Sequence, residues 1–354
     1  MNNQIPLVMD NMVYSLQRTG GGSIYWKYIL EGSVKDPRFS VKVIERGDVN
    51  NNITWDSSLS YPTIDFIGNK LPLRVDEVLS PNVSDCVFHS SYFRTSKGSN
   101  SLNVTTIFDF ISQYYFKGFV KRFSLWQMKK AVKHSDVITC ISHSTKKDLL
   151  KFIPEAKDIP IKVIHLAQDA NFQYKECPRK DQVCFIGARQ QNYKNFKFAV
   201  DVVSKLKDIK LVVIGSKLTD EETTLLADKL GSRYESVVFP SSEEISKIYN
   251  ESKALLYLSS YEGFGLPVLE AMASGLPVVC LNSSSIPEIA GDAGLMLDKL
   301  DMNEAVDKIK SILDDSSFFS SVVEAGLKNA KNFSWDKTTG QTLKLYEDTW
   351  NRNL

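Results

Sequence analysis

The chain has 354 residues, 43% of them hydrophobic and 24% charged, with a formal net charge of +1. That balance belongs to a packed globular protein rather than a disordered one, and the near-zero charge excludes a protein that binds nucleic acid over its whole surface. The length exceeds one comfortable core and predicts two domains of about 150 to 200 residues each.

The five cysteines, Cys86, Cys140, Cys177, Cys184 and Cys280, form no Cys-x-x-Cys pair, so neither a disulfide framework nor a zinc site is expected. All but Cys177 sit in apolar runs and read as core residues. The opening MNNQIPLVMDNMVYS lacks the charged start and the apolar stretch of about 7 to 15 residues that make a signal peptide. No run of about 20 apolar residues follows anywhere, so the expected location is the cytoplasm, with room for contact at a membrane surface.

In chain order, strands are predicted at 5–9, 41–45, 86–89, 103–107 and 137–141, and again at 162–166, 183–187, 210–215, 237–240, 254–259 and 277–281. Helical patterns separate them, which is the signature of parallel sheets covered by helices, and the two halves repeat one architecture. Residues 19–30, TGGGSIYWKYIL, read as a glycine loop entering a helix. A dinucleotide-binding oxidoreductase is set aside, because the glycines form a run rather than Gly-x-Gly-x-x-Gly and follow the first strand only after a long loop.

His89 closes the strand at 86–89 and is the histidine best placed to line a cleft. His143 lies where Ser142 or Ser144 can cap a helix, and His134 and His165 read as surface or edge residues. Nothing in their spacing clusters the four as ligands, and no metal is predicted.

From Phe110 to Ser135 there is no acidic residue, while Lys117, Lys121, Arg122, Lys129, Lys130 and Lys133 alternate with Tyr114, Tyr115, Phe116, Phe119, Phe123 and Trp126. The stretch suits an anionic membrane surface or a lipid-diphosphate acceptor; the competing reading is an amphipathic helix with its aromatics in the core. No second basic patch supports nucleic acid.

The polar stretch 167–182, AQDANFQYKECPRKDQ, reads as a linker between a domain at 1–166 and one at 183–333. Residues 334–354 carry helical apolar spacing with no strand after them, as expected of a terminal helix packing back on the first domain.

The richest segment is 259–298, SSYEGFGLPVLEAMASGLPVVCLNSSSIPEIAGDAGLMLD. It leaves a strand, crosses Gly263 and Gly265, and enters a helix near Pro267, a geometry that presents unpaired N–H groups to an anion. Glu262 precedes that helix and Glu270 lies about one turn inside it, so two carboxylates flank one ligand-sized slot. Vicinal diols could be held there. Spacing alone leaves open that Glu262 is a loop charge and Glu270 merely favours the helix start.

The run from Glu262 to Glu270 resembles the Glu-x7-Glu motif of retaining glycosyltransferases of family 4 (group 1), and AMASGLPVV and IPEIAGDAG continue the likeness. The resemblance implies an α/β GT-B fold of two Rossmann-like domains with parallel sheets facing a central cleft. It implies a metal-independent transfer of a hexose, with retention, from a nucleotide-diphosphate sugar (UDP or GDP) to a glycan or lipid-linked oligosaccharide, as in bacterial O-antigen, capsule or exopolysaccharide synthesis.

By the same resemblance Glu270 binds the ribose, Glu262 contacts the sugar, and the backbone of Gly263, Phe264, Gly265 and Leu266 contacts the donor. Arg189 and Lys194, in FIGARQQNYKN, stand where the family's basic pair neutralises the diphosphate. Gly21 and Gly22 face the donor phosphates. On the acceptor side, Phe108 replaces a family histidine, while Asp109 remains to orient the acceptor hydroxyl or take its proton, or else to cap a turn. Phe108 motivates a second reading, a non-catalytic sugar-nucleotide binder of the same fold. A sugar-nucleotide epimerase is a weaker third.

Overall fold

A computed structural model describes residues 4–16, 20–45, 52, 58–65, 83–189 and 191–352. Thr19 and Gln190, which belong to two of the segments quoted above, lie outside the described residues. The chain divides into two compact units, residues 1–166 with 335–354, and residues 167–334.

The first unit is built on a seven-stranded sheet: β1 (Ile5–Asp10), β2 (Phe39–Glu45), β3 (Thr63–Asp65), β4 (Cys86–Ser90), β5 (Ser101–Ile107), β6 (Val137–Cys140) and β7 (Ile161–Val163). Its order is β3-β2-β1-β4-β5-β6-β7. Every pairing is parallel, with Leu7 opposite Val41 on one side and Val87 on the other. The second unit holds six strands: β8 (Gln182–Ile186), β9 (Lys210–Gly215), β10 (Tyr234–Val238), β11 (Ala254–Tyr257), β12 (Val278–Leu281) and β13 (Leu295–Leu297), in the order β10-β9-β8-β11-β12-β13.

Both sheets reverse direction of strand addition next to their first strand, between β1 and β4 and between β8 and β11. Crevices at that switch point are where doubly wound sheets bind ligands. The central strands β4, β6, β11 and β12 are buried at every position, as expected of parallel strands covered on both faces. In the second unit the core joins Val183, Phe185, Leu211, Val213 and Leu256 from the sheet to Val200, Leu226 and Ile309 from its helices. Cys86, Cys140, Cys184 and Cys280 are buried, and burial pushes their thiols up to about 11 or about 12.

Three expectations shift. The strand at 237–240 runs instead from Tyr234 to Val238, and the one at 162–166 from Ile161 to Val163. The three-residue strands β3 and β13 are too short to show a period of two. The stretch 167–182 is no free linker: Arg179 donates to the carbonyls of Ser252 (2.6 Å) and Gly275 (2.7 Å), and Lys175 N–H to Asn250 Oδ1 (2.6 Å), which strap it to the second unit.

The terminal helix Trp335–Asn351 packs on the first unit, where the Trp335 and Tyr28 rings stack 4.3 Å apart. Gly32 allows that approach; a Cβ there would stand 2.1 Å from Thr339 Cγ2.

Candidate active site

In the second unit the loops after β8 and β11 flank the switch point. Lys194 Nζ lies 2.5 Å from Glu262 Oε1, with side chains 12% and 11% exposed. The lysine is fixed from both sides, its ammonium 5.4 Å from the Tyr193 ring centre and 5.5 Å from that of Tyr257. Burial and the nearby Glu262 carboxylate raise the Tyr257 hydroxyl well above its usual range.

Four residues that the sequence reading missed hold this pair and Arg189 in place. Asn195, in the left-handed region at φ 53°, donates to Leu258 O (2.7 Å) and Ser260 Oγ (2.8 Å) and ties the two loops together. Ser284, also left-handed at φ 47°, accepts from Glu262 N–H (2.7 Å). Ser285 Oγ donates to the carbonyls of Glu262 (3.0 Å) and Phe264 (2.7 Å). The fourth, Glu222, acts on Arg189. The available signals were the asparagine directly after Lys194, since Asn tolerates that backbone region, and the serine run ahead of Ile286.

The turn itself ends on Gly265 at φ 109°, where a side chain would be strained and a Cβ would meet Ile286 Cδ1 at 2.8 Å. Leu266 and Pro267 then open the helix Leu266–Ala273, which has no side-chain cap; Pro267 brings no N–H, and Val268 N–H bonds Gly265 O at 3.0 Å. The Phe264 ring takes no part in the slot: it is buried, edge-on to Phe333. Glu270 is buried on the fifth position of the helix, and burial together with the Asp169 charge lifts its carboxyl to about 8.

Arg189 departs from expectation. Its side chain is fully enclosed, with Nε 3.1 Å from Glu222 Oε2 and Nη2 donating to Ser216 O (2.7 Å) and Lys217 O (3.0 Å). Nη1 and Nε find no hydrogen-bond partner, but the side chain is wholly enclosed against Glu222, so in this structure Arg189 is not offered to a phosphate. Glu222 is fixed in turn by the capping box of the helix Asp220–Leu230, where it accepts from Thr219 N–H (2.9 Å).

In the first unit Gly21 and Gly22 open the helix Gly21–Lys35, again without a side-chain cap. His89 does not line a cleft. It is wholly buried, its Nδ1 2.6 Å from Tyr346 Oη and its Nε2 2.9 Å from Thr106 Oγ1, with the Trp26 ring edge-on at 5.0 Å. Burial drives its pKa down to about 3, so the ring is neutral. Asp109 Oδ1 accepts from Ile111 N–H (2.9 Å) and caps the turn into the helix Ile111–Tyr115. Phe108 packs edge-on against Tyr25 at 5.5 Å. The His143 and His165 rings, expected to be scattered, lie 6.1 Å apart.

Residues 167–329 match the model of the family "Glycosyl transferases group 1". That match covers most of the second unit, residues 167–334. Among curated proteins, the O-antigen chain mannosyltransferase B of Escherichia coli is 44% identical over 105 residues, 30% of this chain and 28% of that protein. The chain spans between 28% and 62% of the length of the curated relatives it matches.

Among solved structures, sucrose-phosphate synthase from Thermosynechococcus elongatus superposes with a TM-score of 0.74 at 17% identity, covering 99% of this chain and 100% of that one. The Anabaena protein HepE, solved with UDP and glucose, gives 0.71 at 16% identity over 97% and 99%. The fold is therefore that of the GT-B glycosyltransferases, two Rossmann-like domains on parallel sheets.

Proposed function

We propose that the chain is a retaining family 4 glycosyltransferase that moves a hexose from a UDP- or GDP-linked donor to a hydroxyl of a glycan or lipid-linked oligosaccharide. Its setting is bacterial surface-polysaccharide assembly at the cytoplasmic side of the membrane. The observation that carries this reading is the part-buried Lys194–Glu262 pair beside an uncapped helix start at the switch point of the second sheet. The group 1 match and the O-antigen mannosyltransferase likeness support it, and HepE's UDP and glucose support the nucleotide-sugar class.

In this reading a donor diphosphate exchanges places with Glu262 on Lys194. One ion pair replaces another, and the released carboxylate accepts hydrogen bonds from the sugar. Glu270 takes the ribose. The N–H groups of the Gly263 to Leu266 turn face the charge that builds on the leaving diphosphate as the glycosidic bond breaks. Arg189 joins them only by leaving Glu222. The departing diphosphate accepts the acceptor proton, which leaves Asp109 to fix the turn beneath the acceptor. Fixed cations and backbone dipoles supply the charge stabilisation, so no divalent metal is required.

The test is nucleoside-diphosphate release from a panel of UDP- and GDP-sugars with glycan and lipid extracts, with and without EDTA. Release that survives EDTA and is lost in Lys194→Ala and Glu262→Gln is expected, with the product anomer read by NMR. No release from any donor would sink the enzyme reading. The Phe108–Tyr25 packing motivates the alternative, a non-catalytic binder, whose mark is a donor-induced thermal shift, lost in Glu270→Ala, without any release. An epimerase would convert donor with no acceptor present.

A further inference from the structure

The basic aromatic segment contributes nothing to the donor site, yet it has the least ordinary surface among the described residues. The helix Gly118–Lys133 packs inward through Gln127, Met128, Ala131 and Val132. On another face Phe119, Phe123 and Trp126 follow one another at helical spacing and stack ring on ring, 5.5 Å and 5.7 Å between centres. They are not core. Phe119 is 72% exposed and Trp126 46%, beside Val120 at 55%. Tyr115 and Phe116, just ahead of the helix, are exposed as well.

The amphipathic-helix reading, in which the aromatics enter the core, therefore fails. A monomer seldom leaves contiguous aromatic surface in water without a partner for it. Charge identifies the partner. Lys117, Arg122, Lys129 and Lys133 are exposed around the rings, Lys130 Nζ stands 5.5 Å over the Trp126 ring, and no acidic residue occurs from Phe110 to Ser135. Among them Lys129 meets an acidic partner, Glu155, at 3.8 Å. A protein groove of mixed charge would leave such a face mostly unpaired. A sheet of lipid phosphates matches it, with acyl chains to receive the rings and headgroups to receive the ammonium groups.

We propose that the Gly118–Lys133 helix, with residues 114–116 ahead of it, docks this chain peripherally on an anionic lipid bilayer. The helix lies along the interface with Phe119, Phe123 and Trp126 below the phosphates and the cations at their level. No helix among the described residues is long and apolar enough to cross a membrane, so docking of this kind is how that face reaches lipid. The inference does not rest on glycosyl transfer, and its test needs no donor.

The full chain is sedimented with vesicles of phosphatidylcholine alone or with about 30% phosphatidylglycerol, at low and high salt. Pelleting with the anionic vesicles only, weakened by salt, is expected, with quenching of Trp126 emission by bromine on the acyl chains that disappears in Trp126→Phe. Since one basic side chain near such a surface is worth about fivefold, Lys117→Ser/Arg122→Ser/Lys133→Ser should weaken binding about a hundredfold. Lys197→Ser/Lys205→Ser/Lys207→Ser, with the same charge change on exposed positions of the second unit, should bind as the parent does. Phe119→Ser/Phe123→Ser/Trp126→Ser should lose quenching and binding while keeping its circular dichroism. Equal pelleting with both vesicle types, or equal loss in the control variant, overturns the proposal. So does self-association that the aromatic variant abolishes without any vesicle binding, which would assign the face to a protein partner.

Discussion

Two sheets with the same strand order end very differently. At the carboxyl ends of β8 and β11 the second unit keeps a partly exposed ion pair, a glycine turn and an uncapped helix start. At the carboxyl ends of β1 and β4 the first unit buries its charges. Asp10 and Arg94 pair at 2.8 Å with both side chains fully enclosed, and Asp10 also accepts from Met12 N–H at 3.0 Å. Beside them Tyr25, His89, Thr106, Thr139 and Tyr346 form a closed hydrogen-bonded network. Topology thus fixes where a site can lie in a doubly wound sheet, and side chains decide whether it is reactive or structural.

The contrast is broken most directly at the two ion pairs. Removing Asp10 by Asp10→Ala strands a buried guanidinium, so unfolding of the first unit should become easier by about 3 to 5 kcal/mol. Asp10→Leu/Arg94→Met should recover much of that loss in urea titrations. Lys194→Ala should behave in the opposite manner: donor turnover falls about a hundredfold or more while the chain stays folded. If Asp10→Ala left stability alone and Lys194→Ala unfolded the protein, the division between structural and reactive strand ends would be wrong.

These two pairs also mark what could be read from the sequence. Glu262 and Lys194 were legible because their motif has a spacing and a strand ahead of it. Asp10 and Arg94 were not, because they are 84 positions apart and meet only through the pairing of β1 with β4. His89 was placed on the right strand end and given the wrong environment. A strand buried at every position does not say which residues of a distant terminal helix will cover it, and here Tyr346 does. Arg189 shows the same limit, since its partner Glu222 lies far along the chain and meets it only in the folded unit. Both parallel sheets, by contrast, followed from the alternation of apolar runs with helical patterns, and only the short edge strands β3 and β13 escaped.

Acidity should separate the two units in opposite directions. His89 titrates near 6.5 when unfolded and at about 3 when folded, so between those values the unfolded chain binds more protons. The first unit is therefore stabilised as pH rises toward 6.5 and loses up to about 1.4 kcal/mol for each unit below it. Glu270 has the reverse sign. Its folded value of about 8 exceeds the unfolded value of 4.5, so the folded second unit binds the extra proton and loses stability as pH rises through that window. Calorimetry from pH 5 to 8 should show the two transitions moving apart. Glu270→Gln should flatten one and His89→Gln the other, and parallel movement of both would contradict the burial assigned to these groups.

The smallest effect asks whether the terminal helix belongs to the structural network or merely covers it. Tyr346→Phe keeps the ring that meets Phe39 edge-on at 6.1 Å and deletes only the hydroxyl that bonds His89. A buried ring nitrogen without its partner costs about 1 to 2 kcal/mol, and both Tyr346 and His89 are fully buried. The loss should appear in the unfolding of the first unit and leave donor affinity in the second unchanged. It should also be nearly absent when His89→Leu is already present, since that substitution removes the group left unpaired. A double-mutant cycle with no coupling between positions 89 and 346 would mean that the helix stabilises this unit through apolar contact alone.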